Sequence, residues 1–204
     1  CIRDSLGRRL SKEEICELAY EGERVVHGTP SGVDNNVSTY GGILRYERKA
    51  GFERFELEDG LPFVIGNTMR KRSTGRLVDR VRRLRERQPE IVESVIDAIV
   101  RVSEDGLVAL READKPRLGD LMNINHGLLA SLGVSISRLD LMVHASRVAG
   151  AYGAKLTGAG GGGCMIALPD ASNLDNIVRA IRRCKGESHI VNISYEGVRT
   201  RRIE

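Results

Sequence analysis

A chain of 204 residues with 41% hydrophobic content is long enough to bury a real core, in one large domain or two small ones. Its formal net charge is +4, aromatic residues make up only 4% and tryptophan is absent, so it lacks the stacking platforms that single-strand nucleic-acid binders use. No run of 18 apolar residues occurs and no charged-then-apolar stretch reads as a signal peptide, so the expectation is a cytoplasmic protein with no membrane partner.

Ser11 and Glu14 have the spacing of a capping box, and Ile15, Leu18 and Ala19 continue it as a helical stripe that Gly28 and Pro30 stop near Val26. Ser31 to Tyr40 reads as a second, short helix capped by Ser31, with Asp34 in its first turn. Residues 42–47 and 52–57 carry strand-favouring side chains around Lys49-Ala50-Gly51, a hairpin, and Leu61 to Gly66 reads as a third strand. The period then changes to 3.6, giving helices over Thr74–Gln88, Pro89–Ala113, Pro116–Leu132 and Ser137–Gly150. The Cys164–Leu168 run is too short for a helix and reads as a buried strand, followed by a helix over Asn173–Cys184 and strands over His189–Ser194 and Gly197–Ile203. The class is α+β, with a break near Leu61.

Between Arg70 and Arg87 nine of eighteen residues are Arg or Lys. Leu77, Val81 and Leu84 recur there at helical spacing, so the basic side reads as the solvated face of an amphipathic helix and no nucleic-acid partner is expected. Cys1, Cys16, Cys164 and Cys184 show no CxxC pair, and His27, His126, His144 and His189 are dispersed, so reduced thiols are expected and no metal cluster.

Two motifs carry chemistry. The first is His27-Gly28-Thr29-Pro30-Ser31-Gly32-Val33-Asp34-Asn35, which sets one carboxylate at the mouth of a tight Ser-Gly turn. An exposed turn aspartate in a helix cap is the plain alternative. The second is Lys155-Leu156-Thr157-Gly158-Ala159-Gly160-Gly161-Gly162-Gly163-Cys164, whose glycines permit positive φ and let backbone amides approach an anion with no Cβ in the way. That string matches G-x-G-x-x-G, but a strand follows it where the dinucleotide fingerprint needs a helix, and the Gly-Lys-Ser/Thr ending of the common ATP loop is absent. A flexible linker is the alternative reading of the run, and apolar flanks argue against it. Thr74 opens a helix, where its hydroxyl can cap that helix or reach a ligand. Glu23 is either a surface charge in Glu21-Gly22-Glu23-Arg24 or a metal-binding carboxylate.

Taken in order, Glu17-Leu18-Ala19-Tyr20-Glu21-Gly22-Glu23, the Ser-Gly-Val-Asp motif, Val37-Ser38-Thr39-Tyr40-Gly41-Gly42, Arg72-Ser73-Thr74-Gly75-Arg76-Leu77-Val78, Leu132-Gly133-Val134-Ser135 and the glycine run resemble the middle and C-terminal part of the mevalonate kinases of the GHMP superfamily. The resemblance implies a two-domain fold: residues 1–60 as the remainder of an incomplete N-terminal domain, and 61–204 as a helix-rich C-terminal α/β sandwich whose last strand returns to the first domain. It implies ATP-dependent phosphorylation of the 5-hydroxyl of mevalonate in isoprenoid synthesis, with ATP and Mg2+ as cofactors and a homodimer as the assembly. It assigns catalysis to Asp34, the metal to Glu23, substrate contacts to Thr74, His27 and Ser31, and the phosphate-facing loop to Gly158, Ala159, Gly160, Gly161 and Gly162. Another GHMP kinase, for phosphomevalonate or homoserine, and a non-catalytic ligand-sensing module are the alternatives. The Gly-Leu-Gly-Ser-Ser-type phosphate loop and the N-terminal lysine of such kinases are absent, so the expectation is a fragment inactive alone.

Overall fold

The Ser11 hydroxyl accepts the Glu14 N–H at 3.2 Å and the Ser11 N–H donates to Glu14 Oε2 at 2.8 Å, so the expected capping box opens the first helix, α1 (Lys12–His27). The computed structural model describes residues 10–27, 30–47, 49–57, 60–70 and 74–199; the side chains of Val26 and His27 lie outside that description. The chain divides into two units, Cys1–Leu61 with Ile193–Glu204, and Pro62–Asn192.

In the first unit α1 is followed by α2 (Val33–Tyr40) and a hairpin of β1 (Ile43–Glu47) and β2 (Gly51–Phe55), paired antiparallel from Ile43 opposite Phe55 to Glu47 opposite Gly51. Helices α1 and α2 meet through Cys16. The Asn35 amide donates to the Cys16 carbonyl at 3.3 Å and lies 3.2 Å from its sulfur, while the thiol donates to Asn36 Oδ1 at 3.5 Å. Residues 193–199 hold to this unit without forming a strand: Gly42 N–H donates to the Ser194 carbonyl at 2.7 Å, and Val198 N–H to that of Thr39 at 3.0 Å. The strand expected from Gly197 is therefore not present over 197–199, and 200–203 lie outside the described residues.

The second unit is a four-stranded antiparallel sheet in the order β4-β5-β3-β6, from β3 (Phe63–Asn67), β4 (Gly153–Leu156), β5 (Cys164–Leu168) and β6 (Glu187–Val191). Its helices are α3 (Thr74–Arg87), α4 (Pro89–Arg111), α5 (Lys115–Ser131), α6 (Ser137–Val148) and α7 (Leu174–Arg183). Alternation puts Val64, Ala154, Leu156, Met165 and Ala167 on one face, all fully buried, where Leu139, Met142, Ile177 and Ile181 of α6 and α7 close over them. Gly66 sits in the middle of that face. A Cβ there would come within 2.7 Å of Met142 Cε and 3.1 Å of Ile181 Cγ2, so the bare position is what lets both helices press onto the sheet.

Strand β4 was not expected from its Gly-Ala-Lys-Leu composition, which is poor in strand formers. It forms because β5 pairs one of its edges while α5 supplies side-chain partners to the other: Asn123 accepts the Ala154 N–H at 3.0 Å and donates to the Tyr152 carbonyl at 3.3 Å, and His126 accepts the Leu156 N–H at 3.3 Å. Helix α3 buries no residue completely. Its basic side is laced with ion pairs, Arg82 to Glu86 at 2.9 Å and Arg85 to Glu93 at 2.5 Å, as a solvated face would be.

Met142→Ala removes a fully buried side chain from the centre of the second unit. Urea unfolding should report a loss of about 2–5 kcal/mol, and a loss below about 1 kcal/mol would mean that the α6–sheet contact is not the core.

Candidate active site

The carboxylate of Asp34 is placed by a turn whose conformation belongs to Gly32. That residue, with φ +90° and ψ −3°, enters α2 as its N-cap, and no side chain caps the helix. This corrects the expectation that Ser31 caps it: the Ser31 hydroxyl instead accepts the N–H of Val33, two residues on, at 3.3 Å. The Tyr46 hydroxyl from β1 donates to the Ser31 carbonyl at 2.9 Å, and a Cβ on Gly32 would lie 2.3 Å from that oxygen. Left-handed backbone and absence of space both select glycine, and both fix the direction in which Asp34 leaves the turn. Asp34 is solvent-exposed in the first turn of α2, where the amino end of the helix favours its charge. Glu23 is half-buried on α1. The His27 side chain, Gly28 and Thr29 lie outside the described residues.

The glycine run in the second unit is a shaped loop, not a linker. Gly158, Gly160, Gly161, Gly162 and Gly163 all have positive φ, between 67° and 136°. Three anchors fix it: Thr157 N–H donates to the Cys164 carbonyl at 3.0 Å across its base, Gly161 N–H to the Val134 carbonyl at 2.7 Å at its crest, and Thr68 N–H to the Gly163 carbonyl at 2.8 Å on its far side. A Cβ on Gly160 would stand 2.1 Å from the Val134 oxygen, and one on Gly161 would meet Leu77 of α3 at 2.7 Å. The amide of Gly161 is therefore spent on the loop's own scaffold. Thr74 lies one turn before Leu77 on α3, hence on the helix side that meets the loop, and is exposed. Lys155 donates to the carbonyl of Leu156 at 2.9 Å, and burial pushes its pKa below the usual lysine value. Arg72 and Ser73 lie outside the described residues.

The structure thus keeps Asp34, Ser31 and Glu23 within the first unit, and Thr74 and Gly158–Gly162 within the second. Sequence reasoning missed Tyr46, Thr68 and Val134. Only Val134 carried a signal, since it sits in Leu132-Gly133-Val134-Ser135.

Residues 107–187 match the family model described as GHMP kinases C terminal. That segment is the part of the chain that is similar to the C-terminal region of GHMP kinases. It is 45% identical over 199 residues to a mevalonate kinase of Pyrococcus furiosus, a match covering 95% of this chain and 59% of the relative. Among solved structures, the L. major mevalonate kinase in complex with R-mevalonate superposes with a TM-score of 0.83 at 34% identity, covering 93% of this chain and 60% of that one. The Methanococcus jannaschii mevalonate kinase superposes with a TM-score of 0.74 at 28% identity, covering 95% of this chain and 59% of that one. The chain spans about 59% of the length of such relatives. The α+β fold of the GHMP kinases is thereby established for it, and among the described residues no helix is long and apolar enough to cross a membrane.

Gly32→Ala should destabilise the first unit by about 1–3 kcal/mol through left-handed strain and the clash with the Tyr46 oxygen. Adding Tyr46→Phe should return part of that loss, because it deletes the atom the new methyl meets. Thermal unfolding of the two single variants and the double variant gives the cycle; strictly additive losses would contradict the contact.

Proposed function

We propose that the protein of this chain transfers the γ-phosphoryl group of ATP to the 5-hydroxyl of mevalonate. The observation that carries this reading is the 45% identity to a mevalonate kinase across 95% of the chain, which takes in the Ser-Gly-Val-Asp turn as well as the glycine loop. A cytoplasmic enzyme working on small molecules goes with it, with a homodimer as its assembly and no nucleic-acid partner.

Phosphoryl transfer from ATP has a loose transition state, so the protein chiefly positions groups and neutralises charge. An aspartate is too weak a base to hold an alcohol's proton in the ground state. Asp34 orients the hydroxyl and accepts its proton late, once the bond to phosphorus has begun to form. Its exposed place in the first turn of α2 suits that task. Ser31, His27 and Thr74 contact the alcohol substrate, and Gly158–Gly162 present backbone to the phosphates.

Magnesium takes one or two carboxylates together with phosphate oxygens. Glu23, a half-buried carboxylate on α1, would hold a metal that arrives on the nucleotide. When bound, it offsets the negative charge of the phosphate oxygens.

A radiometric assay of the full-length enzyme with ATP and a panel of mevalonate, phosphomevalonate and homoserine tests the reading. Mevalonate should be the preferred acceptor, and Asp34→Ala should cost turnover by roughly 100-fold or more. Preferential phosphorylation of homoserine or phosphomevalonate would assign the chain to another GHMP activity, and an unchanged rate in Asp34→Ala would remove that residue from the chemistry.

A further inference from the structure

His126 belongs to neither chemical motif, yet it is buried between the two supports of the glycine loop. Its Nδ1 accepts the Leu156 N–H at 3.3 Å, and its Nε2 lies 3.2 Å from Asp140 Oδ1. Nδ1 accepts only when it carries no proton, so the ring proton sits on Nε2 and is donated to the carboxylate. Asp140 Oδ1 also accepts the Ser135 hydroxyl. Ser135 follows Val134, whose carbonyl holds the Gly161 N–H at 2.7 Å, and Leu156 is the last residue of β4, two before Gly158.

The geometry points to His126 as a positioning residue that, in its neutral form, ties together the strand leading into the glycine loop and the 134–135 turn beneath its crest. A proton on Nδ1 would set N–H against the N–H of Leu156 and release that end of the edge strand. Asn123 would still hold the other end through Ala154 at 3.0 Å. The local charges act in opposing directions. Burial, the largest influence, disfavours the imidazolium, as do Arg147 and Lys155, whereas Asp140 favours it; the net effect holds the His126 pKa below the usual histidine value. Because the folded value lies below the unfolded one, the stability this group contributes is complete above a pH of about 6.5 and is lost as pH falls toward the folded value. The consequence for catalysis rests on the phosphate-facing role proposed for the loop; its order in the free protein does not.

Amide hydrogen exchange, followed by NMR on the protein without nucleotide, tests this. In His126→Phe the protection of Leu156 and Gly161 should fall by about tenfold, the scale of one lost hydrogen bond, while Ala154 and the amides of β3 and β5 keep theirs. Unchanged protection at Gly161, or an equal fall at every core amide, would overturn the proposal. Should the variant not fold, the same protection factors in the wild-type protein decide it, compared at a pH of about 7.5 and at a pH low enough that the His126 ring resonances report its protonation. The same two amides should loosen selectively once the ring is protonated, and a uniform change, or none after that protonation, would overturn the assignment. With no nucleotide in the sample, failure of the kinase reading would leave either result standing.

Discussion

The glycine loop depends on one close approach, that of the 160–161 backbone to the carbonyl of Val134. A hydrogen bond of 2.7 Å pulls the chain in, and a Cβ on Gly160 would sit 2.1 Å from the acceptor, so no other residue fits without displacing the α5–α6 connection. Fixing five glycines in left-handed or near-mirror conformations costs much conformational entropy, a cost that a merely flexible linker would not carry. Held at base, crest and far side, they form a fixed loop, whose backbone is the surface we propose to face phosphate. The same logic recurs in miniature at Gly32, where a tyrosine hydroxyl occupies the volume a side chain would need.

Helix α5 links that loop to the rest of its unit. One face supplies Asn123 and His126 to the open edge of β4, a place where unpaired backbone would otherwise be costly. Its C-terminal end runs through Leu132 and Gly133 into Val134, the residue on which the loop rests. Sheet edge and loop crest are therefore held by a single element. On the buried face of the sheet, Met142 and Ile181 lock α6 and α7 onto the bare position of Gly66. The packed core and the loop's anchorage thus share α6, which carries both Met142 and Asp140.

Much of this was legible in the amino-acid sequence, and the parts that were not have common causes. The capping box at Ser11 and Glu14 was legible because both partners lie within one turn. The hairpin and the succession of helices from Thr74 were legible because their periods are long and punctuated by Pro and Gly. The start of α2 was misread by one residue because the deciding atom, the Tyr46 hydroxyl, lies fifteen residues away on another element. Strand β4 was invisible because it is stabilised by α5 and β5 and not by its own composition. The glycine run announced itself, but its supports did not: Thr68 and Val134 reach it only through the fold. His126 looked like one of four scattered histidines until the edge of β4 came to rest against it.

The central claim is that a backbone surface shaped by glycine faces nucleotide phosphate. Titration of Mg-ATP into the isotopically labelled full-length protein, read as amide chemical shifts, addresses it directly. The account predicts saturable shifts that are largest at residues 158–163 within the second unit. Saturable shifts elsewhere in that unit, with 158–163 unmoved, would contradict it.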